Sequence, residues 1–270
     1  MTTEAPPNVP LVREAARKRW GLWLFIPLAM ALIALVVFSY KWKESLKLDR
    51  ILVEGANILQ VKDVVSLARV EPKAKLSAID LYGVRKRLLQ QPFIRSASVN
   101  RLYPGTVSIR IEERQPIGLL SGGQVRYVDA EGVVLPFVNS AVTVDLPAIS
   151  GIGGIQDAEA GKVFHEKDLA EAIAILQTAL AVDSTVYHFI SEVDMQNGGD
   201  VVLYSTDVVI KIILGRGDIA KKLVTLQSFW ATFVKSADLE KVKSIDLRFE
   251  DQVVVKWNSQ PSTGVARAVL

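Results

Sequence analysis

The hydrophobic pattern changes character along the chain. Residues 20–40 (WGLWLFIPLAMALIALVVFSY) run for 21 positions without a charge. As a helix they rise about 31 Å, close to the thickness of a bilayer's hydrocarbon core. Trp20, Trp23 and Tyr40 stand near the ends, where amphipathic rings favour the interface. Pro27 is a kink that membrane helices tolerate. The stretch reads as an uncleaved membrane anchor. A buried core helix competes, but is usually shorter and rarely follows a basic cluster such as Arg17-Lys18-Arg19. A signal peptide cut near Ala29-Met30-Ala31 would leave 32–40 as an apolar new terminus. Arg13, Arg17, Lys18 and Arg19 on one side balance Lys41, Lys43, Lys47 and Arg50 on the other. Charge counting therefore leaves the orientation open, and the tighter N-terminal cluster leans toward an exported bulk.

Residues 1–19, with Pro6, Pro7 and Pro10 and no apolar period, read as a disordered tail, and 41–47 as a mixed-charge linker. Then the pattern becomes that of a folded unit. Residues 48–54 predict a strand and 55–57 a turn. Val64, Val65, Leu67 and Ala68 mark a short helix over 61–69. Ser77 and Asp80 have capping-box-like spacing and open a second helix, with Ile79, Tyr82 and Leu89 roughly on one face and Pro92 closing it. Residues 94–100 and 106–112 alternate as half-buried strands around the turn Tyr103-Pro104-Gly105. The order is β-α-α-β-β, one small α+β unit.

From Pro116 the signal is mainly β. Residues 125–128 and 133–137 flank a hairpin turn at 129–132. Leu146-Pro147 and the glycine-rich 151–154 read as loop. Residues 167–182 predict a helix with Leu169, Ile173, Leu176 and Leu180 on one face. Strands follow at 191–195, 200–205 and 207–214. Asp218 caps a helix carrying Ile219, Leu223, Leu226, Trp230 and Phe233 at helical spacing. Residues 244–249 and 252–257 close the sheet as a hairpin, and 260–270 read as a mobile tail. The fold class is thus α+β: an N-terminal transmembrane helix, a β-α-α-β-β domain, then a mixed β domain with two helices.

Composition narrows the function. Net charge is +3, and the first 19 residues hold four basic and two acidic side chains. The folded part is nearly neutral, which argues against nucleic-acid binding. Cysteine is absent and only two histidines occur, His165 and His188, so thiolate and multi-histidine metal sites have no ligands. The glycines at 151–154 lack the Lys-Ser/Thr of a phosphate loop. Arg216-Gly217-Asp218 spells the adhesion tripeptide, but as a turn before a helix. Adjacent Glu112 and Glu113 point to opposite faces of a strand and cannot share a substrate. Ser121 and Ser150 lie near glycines without a G-x-S-x-G motif. The reading is of a non-enzyme with no cofactor, no metal and no small-molecule substrate.

Residues 48–116 resemble a POTRA domain, the β-α-α-β-β module of envelope proteins. The resemblance is carried by ILVEG at 51–55, Leu88 with QPFI at 91–94, ASVNR at 97–101, PGTVSIRI at 104–111 and ERQP at 113–116. One POTRA directly after one membrane helix, followed by a β domain, is similar to the bacterial FtsQ/DivIB cell-division family. YVDAEGVVLP at 127–136, Leu146-Pro147 with Ser150-Gly151, IDLRF at 245–249 and VVVKW at 253–257 resemble the family's β domain. The family often has a glycine near Gln252; here Glu250 to Gln252 make the turn.

The resemblance implies these divisions: 1–19 cytoplasmic tail, 20–40 transmembrane helix, 48–116 POTRA domain, 117–258 β domain, 259–270 tail. It implies a single-pass type II protein of the inner membrane, its bulk periplasmic, at the division septum. The implied partners are FtsB and FtsL, other divisome components and the bilayer. It implies a docking surface at Arg248, Phe249, Asp251, Gln252, Val253, Lys256 and Trp257, with a partner strand added to an exposed edge. Exposed edges offer free N–H and C=O groups, and Trp, Phe and Arg are enriched at hot spots. The competing assignment makes Phe249 and Trp257 core and Lys256 an edge guard. A POTRA sheet edge at 51–55 is a second, weaker candidate. An anchored secretion or transport scaffold reusing these modules is the alternative function, and an anchored wall hydrolase the remaining one. With no ligand set or thiols, chelators and reductants should leave the melting temperature unchanged. A drop of several degrees with a chelator in a thermal melt would contradict this.

Overall fold

The computed structural model describes residues 20–138, 145–206, 208–233, 239–250, 252–258 and 266–269. The expected tail at 1–19 lies outside them. Helix α1 (Trp20–Ser45) continues past Tyr40, so most of the expected linker at 41–47 is helical. Its stretch Phe25–Ser45 is long and apolar enough to cross a membrane, and none of it is buried in the protein. A core helix needs an apolar stripe against a partner, so that reading falls away. Pro27 lies inside α1 and Tyr40 is exposed near its end. The side chains of Trp20 and Trp23 lie outside the described set.

The first folded unit comprises β1 (Arg50–Glu54), α2 (Val61–Ala68), α3 (Leu81–Leu88), β2 (Ile94–Leu102) and β3 (Thr106–Glu113). The β-α-α-β-β order is the expected one. Strand β3 is central, with β1 parallel and β2 antiparallel to it. Val64 and Ala68 of α2 and Val84 and Leu88 of α3 meet Val107, Ile109 and Ile111 in one core. Gly55 ends β1 at φ +87°, where a Cβ would lie 2.0 Å from the Ile111 carbonyl oxygen. Only glycine fits there. The Glu113 carboxylate, at the end of β3, accepts the N–H groups of Asn57, Ile58 and Leu59 at 2.9, 2.7 and 2.9 Å. This satisfies the loop after β1 and explains the burial of Glu113. Glu112 is exposed and accepts from Ser96, so the two carboxylates do face opposite ways.

Helix α3 differs from its expected start. Asp80, not Ser77, is the cap, with Oδ1 accepting from Gly83 N–H at 3.0 Å. Leu76–Ala78 forms a separate 3-10 turn. With α3 beginning at Leu81, Ile79 lies before the helix, and the i, i+4 pair Val84 and Leu88 faces the core while Tyr82 is 73% exposed and Leu89 39%.

The second unit comprises β4 (Pro116–Leu120), β5 (Arg126–Asp129), β6 (Val134–Pro136), β7 (Ala148–Ser150), α4 (Lys167–Val182), α5 (Ser184–Phe189), β8 (Ile190–Asp194), β9 (Val202–Ser205), β10 (Lys211–Ile213), α6 (Ile219–Phe233), β11 (Val242–Asp246), β12 (Gln252–Trp257) and β13 (Ala266–Val269). They form one sheet in the order β13-β12-β11-β10-β9-β8-β7-β4-β5-β6. One apolar cluster joins the sheet to α4, α5 and α6. A Cβ on Gly118 of β4 would lie 2.8 Å from Ile149 Cδ1 and 3.3 Å from Leu176 Cδ1, so glycine lets α4 settle over β4 and β7. Sequence reading expected neither β4, β7 and β13 as strands nor α5 as a helix. β7 is three residues held between parallel neighbours β4 and β8, and so short a segment carries no alternation. Leu180, expected on the buried face of α4, is 44% exposed; Ala172, Ile175 and Ala179 bury instead.

The two units meet at a built junction. Phe93, 1% exposed, packs with Val133 and Leu135 and contacts the Tyr127 ring edge-on at 6.5 Å. Beside it the Arg114 guanidinium reaches the buried Asp129 carboxylate at 2.7 Å and Glu131 at 3.3 Å. Asp129 also accepts the Glu131 and Val133 N–H groups at 3.0 and 2.8 Å, which shapes the β5–β6 turn. Removing a buried phenylalanine costs about 3–5 kcal/mol. We expect Phe93→Ala to split one calorimetric transition into two. A single transition merely shifted downward would show that the junction does not couple the units.

Candidate functional site

The site is the β11–β12 end of the large sheet. Asp246 faces Val254, Ile245 faces Val255 and Ser244 faces Lys256; past a bulge Val242 faces Trp257. Alternation along β12 drives Val253 and Val255 into the core, at 0% and 6% exposure. Val253 was expected on the docking surface. Its side chain is core, and its backbone alone belongs to the edge.

That edge is covered. β13 pairs antiparallel with β12, Gln252 against Val269 through Val255 against Ala266. Part of the expected mobile tail is thus a strand. Beyond these four described pairs lie Lys256, which is exposed, and Trp257, which is 36% exposed. Phe249, 52% exposed, sits in the β11–β12 turn. It is therefore not core. Asp251 lies outside the described residues, and Gln252 is half-buried at the start of β12.

Arg248 is braced rather than presented free. Its Nε and Nη2 donate to the Asp246 carboxylate at 3.0 and 2.7 Å, and Nη1 donates to Asp200 at 2.8 Å. Gly215 stands at φ +65°, where a Cβ would come within 2.8 Å of Arg248 Cγ. The brace thus ties the segment before β9 to the end of β11, with Gly215 of the loop before α6 close against the Arg248 stem. Burial works against the Asp246 charge, but the Arg248 guanidinium and backbone N–H, helped by Lys256, outweigh it and hold its pKa below the ordinary value. The Asp246 and Asp200 carboxylates raise the pKa of Arg248. Asp246, Asp200 and Gly215 were missed from sequence. One signal was available: Asp246 and Arg248 are two apart, the spacing that shares a face in extended backbone.

A hollow of about 300 Å³ opens beside Phe249, its charged lining mixed: Arg216, Lys221, Lys222 and Arg248 with Asp218 and Glu250. Arg216 is itself bound to Asp168 at 2.9 Å and to Glu171, so the tripeptide's arginine is anchored on α4. Tyr187 of α5 donates to the Ile117 carbonyl at 2.9 Å, and burial, with the Asp145 charge, pushes its pKa up to about 12. His188 contacts the Ser184 carbonyl through Nδ1, within its own helix, and His165 is exposed. Among the described residues no three His, Asp or Glu side chains converge as metal ligands would.

The Asp246 brace has a pH signature. A lowered folded pKa gives stability that is present above the unfolded value of 3.8 and lost as pH falls through the folded one. Arg248→Met should raise the Asp246 pKa, so that less of this stability is present at neutral pH and less of it is lost on acidification. Carboxyl NMR titration of Asp246 checks this; an unmoved pKa would contradict it.

Comparison with known proteins follows the same architecture. A family model described as "POTRA domain, FtsQ-type" matches residues 46–114, and one described as "FtsQ/DivIB, C-terminal related" matches 115–256. The join falls between β3 and β4. A cell division protein FtsQ of Rhodothermus marinus is 30% identical over 263 residues, covering 95% of this chain and 93% of that protein. A Salinibacter ruber protein of the same name is 27% identical, covering 85% of this chain and 90% of its own length. One from Geotalea daltonii is 28% identical, covering 78% and 75%.

Proposed function

The chain belongs to the FtsQ/DivIB family of bacterial cell-division proteins, and from that membership we propose that it recruits the small membrane proteins FtsB and FtsL to the division site through the end of its large sheet. In this reading α1 anchors the chain once in the inner membrane. The tail before it is cytoplasmic and everything after it is exported to the septal periplasm. Residues 48–116 act as the POTRA domain and 117–258 as the partner-binding domain. The protein regulates septal wall synthesis by assembly, without chemistry of its own.

The carrying observation is the geometry of β12. It lies one strand from the end of the sheet, between the exposed rings of Phe249 and Trp257. A partner strand laid along it gains backbone hydrogen bonds, and the two rings flank the added strand. Arg248 holds the turn in shape. Because β13 occupies the ladder from Gln252 to Val255, a strand pairing there displaces it.

Binding of an FtsB peptide to the full chain, measured calorimetrically, tests the surface. Trp257→Ala and Phe249→Ala should each cost roughly 2 kcal/mol or more. A chain ending at Asn258, with β13 removed, should bind more tightly. If both alanine variants keep the original affinity, the surface lies elsewhere. If truncation weakens binding, the partner pairs with β13 itself.

A further inference from the structure

α1 is not followed by a free linker. Ser45 Oγ donates back to the Trp42 carbonyl at 2.8 Å. The next residues are gripped by the POTRA domain from two sides. Leu76 N–H donates to Leu46 O and Leu48 N–H to Ala74 O, both at 2.8 Å, which sets Lys47 beside Lys75. Asp49 N–H donates to the Gly105 carbonyl at 2.7 Å, in the β2–β3 turn. Leu48 is buried in the domain core.

This grip brings the β2–β3 tip back against the helix. Lys43 Nζ lies 5.8 Å from the centre of the Tyr103 ring. Lys43 is about 4.5 Å along the axis from Tyr40, where the uncharged span ends. The headgroup layer is about 5–7 Å deep on each side of the hydrocarbon. A bilayer that ends its hydrocarbon near Tyr40 therefore has its headgroups level with Tyr103.

The surface at that level has interfacial chemistry. Trp42, Leu102 and Tyr103 are 51%, 47% and 55% exposed. The exposed charges of 41–50 and 71–75 are Lys41, Lys43, Lys47, Arg50, Lys73 and Lys75 against Glu44, Asp49 and Glu71. Aromatic rings with lysines around them suit the membrane–water boundary, where stems lie in the apolar zone and ammonium groups meet phosphate. We propose that this face of the POTRA domain is a lipid-docking surface, with Leu102 and Tyr103 in the interface and Lys43, Lys47 and Lys75 on anionic headgroups. The proposal rests on the single membrane span and is independent of which protein binds the far end.

Because the chain has no cysteine, one thiol can be introduced and labelled without background. Full-length Leu102→Cys carries an environment-sensitive fluorophore, and Val209→Cys, exposed in the second unit, is the reference. Both are reconstituted in phosphatidylcholine vesicles with and without phosphatidylglycerol. The label at 102 should be quenched by a lipid-borne nitroxide and shielded from aqueous iodide, more so with the anionic lipid. Neutralising Lys43, Lys47 and Lys75 to Gln should shift the docked-to-undocked ratio in anionic vesicles roughly fivefold per lysine, from about 1 kcal/mol per basic residue. Quenching at 102 no greater than at 209, in protein that still floats with the vesicles, overturns the docking and leaves the anchor standing. Failure to float with the vesicles overturns the span and the docking with it.

Discussion

The junction between the two folded units is the constraint on which the rest depends. Phe93 is a large apolar side chain on the first unit whose burial is completed by Val133 and Leu135 on the second. Next to it the Arg114–Asp129 pair is nearly dry on the acidic side. A buried carboxylate is costly unless its oxygens are occupied. Here the Arg114 guanidinium and two backbone N–H groups of the β5–β6 turn occupy them. The same carboxylate thus shapes a turn and joins two units.

Rigidity at that point matters because the chain is gripped at its other joint as well. The residues just after α1 enter the first unit through paired backbone hydrogen bonds rather than a spacer. In the proposed role, a sheet end presented to partners benefits from a fixed attitude relative to the anchor. Fewer degrees of freedom are then lost when a partner that is also membrane-bound arrives. The arrangement is that of a bracket: a membrane helix, a small domain fixed to it, and a large sheet fixed to that domain.

The far end of the sheet shows how this chain manages a sheet edge. A bare β12 would offer a row of N–H and C=O groups to any passing strand. β13 covers four of those positions, and Lys256 beyond them is charged and exposed. Arg248, a natural candidate for direct recognition, is engaged with Asp246 and Asp200, so its first role is to hold the β11–β12 turn. In the proposed role, recognition then falls to the exposed rings and to the backbone.

Much of this was legible in the residues. The uncharged span, the β-α-α-β-β order and the helices now seen as α4 and α6 all declare themselves through local periodicity, because each depends on neighbours within a turn or two of chain. What only the tertiary structure decided is non-local. Whether Tyr82 or Val84 faces inward depended on how α3 packs against α2 and the sheet. Whether 148–150 is loop or strand depended on β4 and β8, which flank it from distant parts of the chain. That Val253 is core, that Arg248 is braced by Asp200, and that β12 is covered by β13 are properties of strand order. Strand order is settled by which long-range pairings bury the most apolar surface and leave the fewest backbone groups unpaired, and no short window of sequence contains that sum.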